Sequence, residues 1–199
     1  MGRPRVHNAR TERELLAAAE ALLAAGGVAE LSVRRVAEAA GTSARAIYSV
    51  FGDMDGLVRA LFGEAFLALA ADLDALPETD DPLADVVAAG VVGFRGWAMR
   101  RPHLFRMLFD ARPPPLLTDR PVIEPGVQAF ARLTGKIARA SAAGLLTPGR
   151  DREIALSFHA LCEGMTSLEL RGRFPLSPAH DPAEAWREAL TALVRGYRA

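Results

Sequence analysis

Apolar residues recur along this chain at the spacing of three and four that marks one face of an α-helix. Leu15, Leu16, Ala19, Leu22 and Leu23 form the first such stripe; Thr11 followed by Glu14 is a capping-box signal at its start, and Gly26-Gly27 stops it. Ser32 is placed to cap a short second helix over residues 33–40, ending at Gly41, and Ser43 to cap a third that reaches Phe51. Gly52-Asp53 breaks the chain before a long fourth helix. That helix carries Leu57, Val58, Leu61, Phe62, Ala65, Phe66 and Leu69 on one face, and Pro77 closes it.

After a polar linker at 78–81, Asp81-Pro82 opens a fifth helix that runs to Arg100 and buries Val87, Val91, Phe94 and Ala98. Arg101-Pro102 interrupts it. A short sixth helix with Leu104, Phe105, Met107, Leu108 and Phe109 ends at Pro113-Pro114-Pro115. Residues 116–124 read as loop, because Pro121 and Pro125 oppose regular helix between them. A seventh helix is expected over 126–143, an eighth over 151–171, and a ninth from Asp181-Pro182 to the C-terminus. The pattern predicts an all-α protein of about nine helices, with no strands and no repeats.

Composition agrees. Ala and Leu dominate the hydrophobic half of the 199 residues, and the basic residues are almost all arginine, with Lys136 the single lysine. High hydrophobicity with balanced charge excludes a disordered chain. The single cysteine, Cys162, cannot form an internal disulfide or a cysteine-based zinc site, which points to a reducing cytoplasm. No apolar run approaches the ~20 residues that span a bilayer, and no apolar segment follows the basic start Met1-Gly2-Arg3-Pro4-Arg5 as a secretory signal requires. The 24 basic and 24 acidic residues cancel, yet residues 1–50 hold seven arginines against five glutamates. The neutral sum conceals a mildly basic head on a mildly acidic body.

Residues 33–51 carry the most information. Two short helices flank Ala40-Gly41-Thr42, with Val36, Ala37, Ala40, Ile47 and Phe51 facing inward: a helix-turn-helix arrangement whose glycine permits the tight turn. In such a unit the second helix enters the major groove N-terminal end first. The outward residues would be Thr42, Ser43, Ala44, Arg45, Ala46, Tyr48 and Ser49. Of these, Arg45 alone can make a bidentate contact to guanine. Ser43, Tyr48 and Ser49 can donate to phosphates, and Ala44 or Ala46 can touch a thymine methyl. Arg3 and Arg5 can reach a narrow minor groove from the N-terminal arm, and Arg34 and Arg35 can meet phosphate from the second helix. An ordinary helical hairpin with a polar face is the competing reading of the same pattern.

The run Gly41-Thr42-Ser43-Ala44-Arg45-Ala46-Ile47-Tyr48-Ser49-Val50-Phe51-Gly52-Asp53-Met54-Asp55-Gly56-Leu57 resembles the signature of the tetracycline-repressor family. Gly41, Ser43, Ile47, Tyr48, Phe51, Gly52 and Leu57 match it, and Arg10, Leu15, Ala18 and Ala19 fit the family's first helix. Met54 stands where many members have a phosphate-binding lysine, and Ser49 or Val50 where many have a histidine, so base readout rests more heavily on Arg45. The resemblance implies a DNA-binding domain at residues 1–53 and a helical ligand-binding and dimerisation domain at 54–199. The regulator would be homodimeric and act on a pseudo-palindromic operator. A small, largely apolar effector would release it, and it would need no cofactor or metal.

Within the larger domain, residues 101–109 and 159–164 are similar to segments of one branch of the family. Candidate pocket residues are Phe66, Trp97, His103, Phe105, Met107, Phe130, Phe158, His159, Cys162 and Glu163; candidate dimer residues are Met165, Leu168, Trp186, Leu190, Leu193, Val194 and Tyr197. Two rival readings fit the residues less well. A helical interaction module would leave Arg45 and Tyr48 idle. A small helical enzyme would need more than Asp80, Asp81 and Asp85, and helix capping explains Asp81; His7, His103, His159 and His180 show no metal-ligand spacing.

Overall fold

The regular elements among the described residues are all helical, with one isolated antiparallel bridge between Leu146 and Arg198, as the 3.6-residue periodicity predicts. The computed structural model describes residues 5–110, 120–173 and 181–199, with side chains at 9–109, 123–173 and 181–199. The elements are α1 (Arg5–Gly26), a 3₁₀ turn (Val28–Glu30), α2 (Val33–Ala39), α3 (Ala44–Phe51) and α4 (Met54–Asp74). They continue with α5 (Pro82–Ala88), a π-helical segment (Ala89–Arg95), α6 (Gly96–Arg100), α7 (Pro102–Phe105) and a second π-helical segment (Arg106–Asp110). The last are α8 (Arg120–Ala142), α9 (Asp151–Leu170) and α10 (Pro182–Arg195).

The chain divides into two compact units, Met1–Ala65 with Pro102–Glu124, and Phe66–Arg101 with Pro125–Ala199. In the first unit, Leu15, Ala19 and Leu23 of α1 are buried together with Val36, Ala37, Ile47, Leu57 and Leu61. Helix α7 also packs on α1: Leu104 and Phe105 are buried, as is Met107 in the π-helical segment that follows, and His103 Nε2 lies 3.1 Å from Glu20 Oε1. In the second unit, the core contains Phe94, Trp97, Ile137, Ile154, Phe158, Trp186 and Leu190.

Two boundaries depart from the pattern. Helix α1 begins at Arg5, so Thr11 lies inside it and the Thr11–Glu14 pair does not open it. Residues 5–10 contain no Gly or Pro, and a local capping signal cannot start a helix where the preceding residues are already helical. Helix α8 begins at Arg120, well before the expected 126, with Pro125 inside it. Pro121 falls in the first turn, where a missing N–H has no helical partner to lose, and Pro125 removes one bond in the second turn.

The fifth predicted helix is one rod from Pro82 to Arg100 with a π-helical middle. Asp81 caps it as expected, accepting from Leu83 N at 3.1 Å and Ala84 N at 3.0 Å. In the π segment Gly90 brings the backbone close to its neighbours: a Cβ there would sit 2.4 Å from Leu190 Cδ1 and 2.9 Å from Phe158 Cζ. Asp85, on the same rod, is a buried carboxylate. It accepts from Thr79 N and Thr79 Oγ1, both at 2.8 Å, and from Arg139 Nη1 at 2.5 Å. Burial alone would push its pKa up; the hydrogen bonds from Thr79 and Arg139 outweigh that and hold it below the ordinary carboxylate range.

Candidate nucleic-acid interface

Ser32 caps α2 as predicted, its hydroxyl accepting from Arg35 N at 3.3 Å. The turn into α3 is closed by Thr42 N donating to Ala37 O at 2.9 Å, and Gly41 at φ +63° occupies the left-handed region that β-carbon residues avoid. Ser43 stands at the N-cap of α3 but makes no side-chain cap bond, so its hydroxyl is not committed to the helix end. Val36, Ala37 and Ile47 are buried and lock α2, α3 and α1 together; Ala40 and Phe51 are half-buried.

The outer face of this unit collects most of the residues expected to meet DNA. Thr42, Ser43, Ala44, Arg45, Tyr48 and Ser49 are exposed, Tyr48 by 54%, and Ala46 is half-buried. Arg34 and Arg45 enter no ion pair among the described residues. Arg35 differs, because its guanidinium is paired with Glu30 from the 3₁₀ turn. Arg3 and the side chain of Arg5 lie outside the described residues.

At the far end of α3, Gly52 N donates to Tyr48 O and the chain turns into α4. Asp53 opens α4, its Oδ1 accepting from Gly56 N at 2.6 Å and lying 3.5 Å from Arg59 Nη2. Gly56 has no room for a side chain: a Cβ would stand 2.0 Å from Phe51 O. The α3–α4 junction is therefore fixed by backbone against backbone. Sequence reasoning passed over Gly56, which reads locally as a mere weak spot in a helix.

The pocket candidates fall in both units. His103, Phe105 and Met107 belong to the first, with α1. In the second, Trp97, Phe158 and Cys162 are fully buried, and Phe66, Phe130, His159 and Glu163 are half-buried. Rings link several of these: His159 stands edge-on to Phe94 at 5.7 Å and to Phe130 at 6.0 Å, and Phe94 lies 6.4 Å from Trp97. Phe94, absent from the expected set, joins them. Burial lowers the His159 pKa and pushes the Cys162 thiol well up, which leaves that thiol inert.

The dimer candidates differ in exposure. Met165, Trp186, Leu190 and Val194 are buried in the protomer's own core. Trp186 Nε1 donates to Glu169 Oε2 at 2.9 Å, and Arg95 grips the same carboxylate with Nε at 2.9 Å and Nη2 at 2.6 Å. Tyr197 is also engaged within the protomer: its hydroxyl lies 3.1 Å from Ser157 Oγ, and the Arg150 guanidinium sits 4.9 Å over its ring. Leu193 remains half-buried and Leu168 exposed. Helix α9 shows an exposed face of which only Leu168 is among the expected residues. Leu156, Ala160, Gly164 and Leu168, four residues apart in succession, are all exposed.

Among the described residues, no group of three or more His, Cys, Asp or Glu is placed to hold a metal ion, and no helix is long and apolar enough to cross a membrane. A family model for the C-terminal domain of tetracycline-repressor-like proteins matches residues 86–193, and one for bacterial regulatory proteins of the tetR family matches residues 15–61. No curated protein matches the sequence. Solved structures share the fold. A Rhodococcus protein of unknown function is 27% identical, with 95% of each chain covered and a TM-score of 0.82. A tetR-family transcription regulator from Marinobacter aquaeolei is 20% identical, covering 98% of this chain and 99% of its own at a TM-score of 0.73. One from a Shewanella species, described as a tetR-family transcription regulator, is 17% identical, covering 95% and 98% at 0.74.

Proposed function

The chain belongs to the tetracycline-repressor family of bacterial transcription regulators, and on that footing we propose that it is a ligand-responsive repressor that binds a pseudo-palindromic operator as a homodimer. The observation that carries this reading is the exposed face of α3, where Arg45 stands without an ion-pair partner among the described residues. Arg45 reads guanine; Ser43, Tyr48 and Ser49 hold phosphates; Thr42 lies at the turn beside them, and Ala44 and Ala46 meet base methyls. Arg34 supplies a phosphate contact, with Arg35 contributing less while it is paired to Glu30. Arg3 and Arg5 would enter the minor groove. The protein acts in the cytoplasm, on the nucleoid, and as with the family's regulators generally its work is binding without catalysis.

Dimerisation is assigned to α9 and α10. The exposed stripe Leu156, Ala160, Gly164 and Leu168 supports this, with the half-buried Leu193 as the candidate on α10. Small residues in mid-stripe let two helices approach closely. The effector is assigned to the second unit, around Trp97, Phe130, Phe158, His159, Cys162 and Glu163, with Phe66 of α4, whose ring lies against Gly126 of α8. His103, Phe105 and Met107 are then reassigned to packing of the first unit. Effector binding acts on the DNA heads through α4, whose residues are shared by both units, and it regulates only through its differential affinity for the two arrangements.

Selection of bound duplexes from a random pool tests the proposal. The expected product is an inverted repeat whose half-sites lie about 34–36 Å apart, one helical turn. Enrichment of no sequence, or of a lone half-site bound by a monomer, would contradict it.

A further inference from the structure

Trp97 and Trp186 are both fully buried, but their indole nitrogens are treated differently. Trp186 Nε1 donates to Glu169 Oε2 at 2.9 Å, whereas Trp97 Nε1 has no hydrogen-bond partner among the described residues. A buried N–H without an acceptor carries its full desolvation cost, and a phenylalanine would fill an apolar site without that cost. Tryptophan at this position is therefore suited to an acceptor that arrives from outside the protein.

The surroundings say what kind of molecule brings it. Trp97 on α6 neighbours Phe94, which neighbours His159 on α9, which in turn meets Phe130 on α8. These rings favour an aromatic or otherwise flat apolar body. Two half-buried arginines of this unit are already matched, Arg95 with Glu169 and Arg139 with Asp85, so neither is spare to hold an anion. Glu163 Oε2 lies 3.6 Å from His159 Nε2 and would repel one. An ammonium, for its part, cannot accept from an indole N–H.

We infer that Trp97 Nε1, on a ring that neighbours Phe94 at one end of the row Phe94, His159 and Phe130, is the hydrogen-bond donor of the effector site, and that the effector is an uncharged, largely aromatic molecule presenting a carbonyl or ether oxygen to it. This rests on the ligand-responsive reading above and narrows it from an apolar molecule to a neutral acceptor-bearing one.

The full-length protein labelled with ¹⁵N-tryptophan gives two indole N–H resonances, and their positions report directly. Trp97→Phe removes one peak and assigns it; if that variant does not fold, Trp186→Phe assigns the other. In the free protein the Trp97 proton should resonate upfield of the hydrogen-bonded Trp186 proton. The probes are matched sets on one, two and three fused rings, for example 2-acetylnaphthalene, 2-ethylnaphthalene, 2-naphthoate and 2-naphthylmethylamine. The ketones should move the Trp97 peak downfield, leave Trp186 in place, and bind about tenfold tighter than their hydrocarbon, acid and amine counterparts, the worth of one hydrogen bond. The inference is overturned if the free Trp97 proton already sits at a hydrogen-bonded position. It is equally overturned if charged or hydrocarbon probes are preferred at every ring size, or if none of the sets moves the peak. Operator release measured on the same samples separates this claim from the one beneath it. A probe that releases DNA without moving the Trp97 peak overturns the indole assignment and upholds ligand response; a probe that moves the peak without releasing DNA does the reverse.

Discussion

In the DNA-binding head, Arg34 and Arg45 stand exposed with no ion-pair partner among the described residues. In the second unit, Arg95 and Arg139 are drawn onto Glu169 and Asp85, carboxylates 74 and 54 residues away in sequence. The same residue type thus does two jobs. At Arg34 and Arg45 the guanidinium donors are left open to solvent. At Arg95 and Arg139 the donors are consumed in joining helices, and among the described residues Trp97 Nε1 is the buried side-chain N–H left without an acceptor. Zero net charge over the whole chain hides this division, because pairing rather than charge count decides which arginines can bind DNA.

The comparison can be broken at four points. The largest effect is expected at the proposed dimer face: Leu156→Asp with Leu168→Asp should give monomers in sedimentation and weaken operator binding at least a hundredfold, the scale of lost bivalency. A dimer that persists would move the interface elsewhere. Next is the buried pair. Asp85→Ala should cost about 3 kcal/mol in denaturant unfolding, since it leaves Arg139 and Thr79 without their acceptor. Because the folded-state pKa of Asp85 is depressed, its contribution is complete above its unfolded value of about 4 and is lost as pH falls through the folded value. Melting temperature between pH 2 and pH 6 should therefore fall more steeply in the native protein than in Asp85→Asn; equal slopes would mean that the pair is not the acid-sensitive element.

Gly56→Ala sharpens the head side of the comparison. Its Cβ would strike Phe51 O, so the backbone must move, at about 1–3 kcal/mol of stability. DNA affinity should fall with it while the Trp97 and Trp186 indole resonances stay unchanged. The smallest effect separates two neighbouring arginines. Arg34→Ala should reduce the salt dependence of DNA binding by about one phosphate contact, and Arg35→Ala by less, because Arg35 is shared with Glu30. Equal slopes would show that the Glu30 pair opens on DNA.

The head was legible because its boundaries are set by residues a few positions apart. Ser32 caps α2, Gly41 makes the turn and Gly52 ends α3, all within the reach of local chemistry. Other features depend on partners that spacing cannot reveal. The stripe Trp186, Leu190 and Val194 showed that α10 buries one face, but not that its own protomer covers it. The exposed α9 face was hidden for the opposite reason: Ala160 and Gly164 are too small to announce an interface in a hydrophobic pattern. Pro125 inside α8 and the π-helical middle of the Pro82–Arg100 rod are tertiary outcomes that override local preference. Gly56 is explained only by the Phe51 carbonyl that faces it.

The central claim is that α3 reads sequence through Arg45. It is tested most directly by measuring the affinity of the native protein and Arg45→Ala for every single-base variant of the selected half-site. The native protein should lose about 1–3 kcal/mol at one guanine-bearing base pair per half-site, and Arg45→Ala should be indifferent to that pair while still discriminating at the others. A uniform loss over all variants and over random DNA would reduce Arg45 to a phosphate contact and contradict the account.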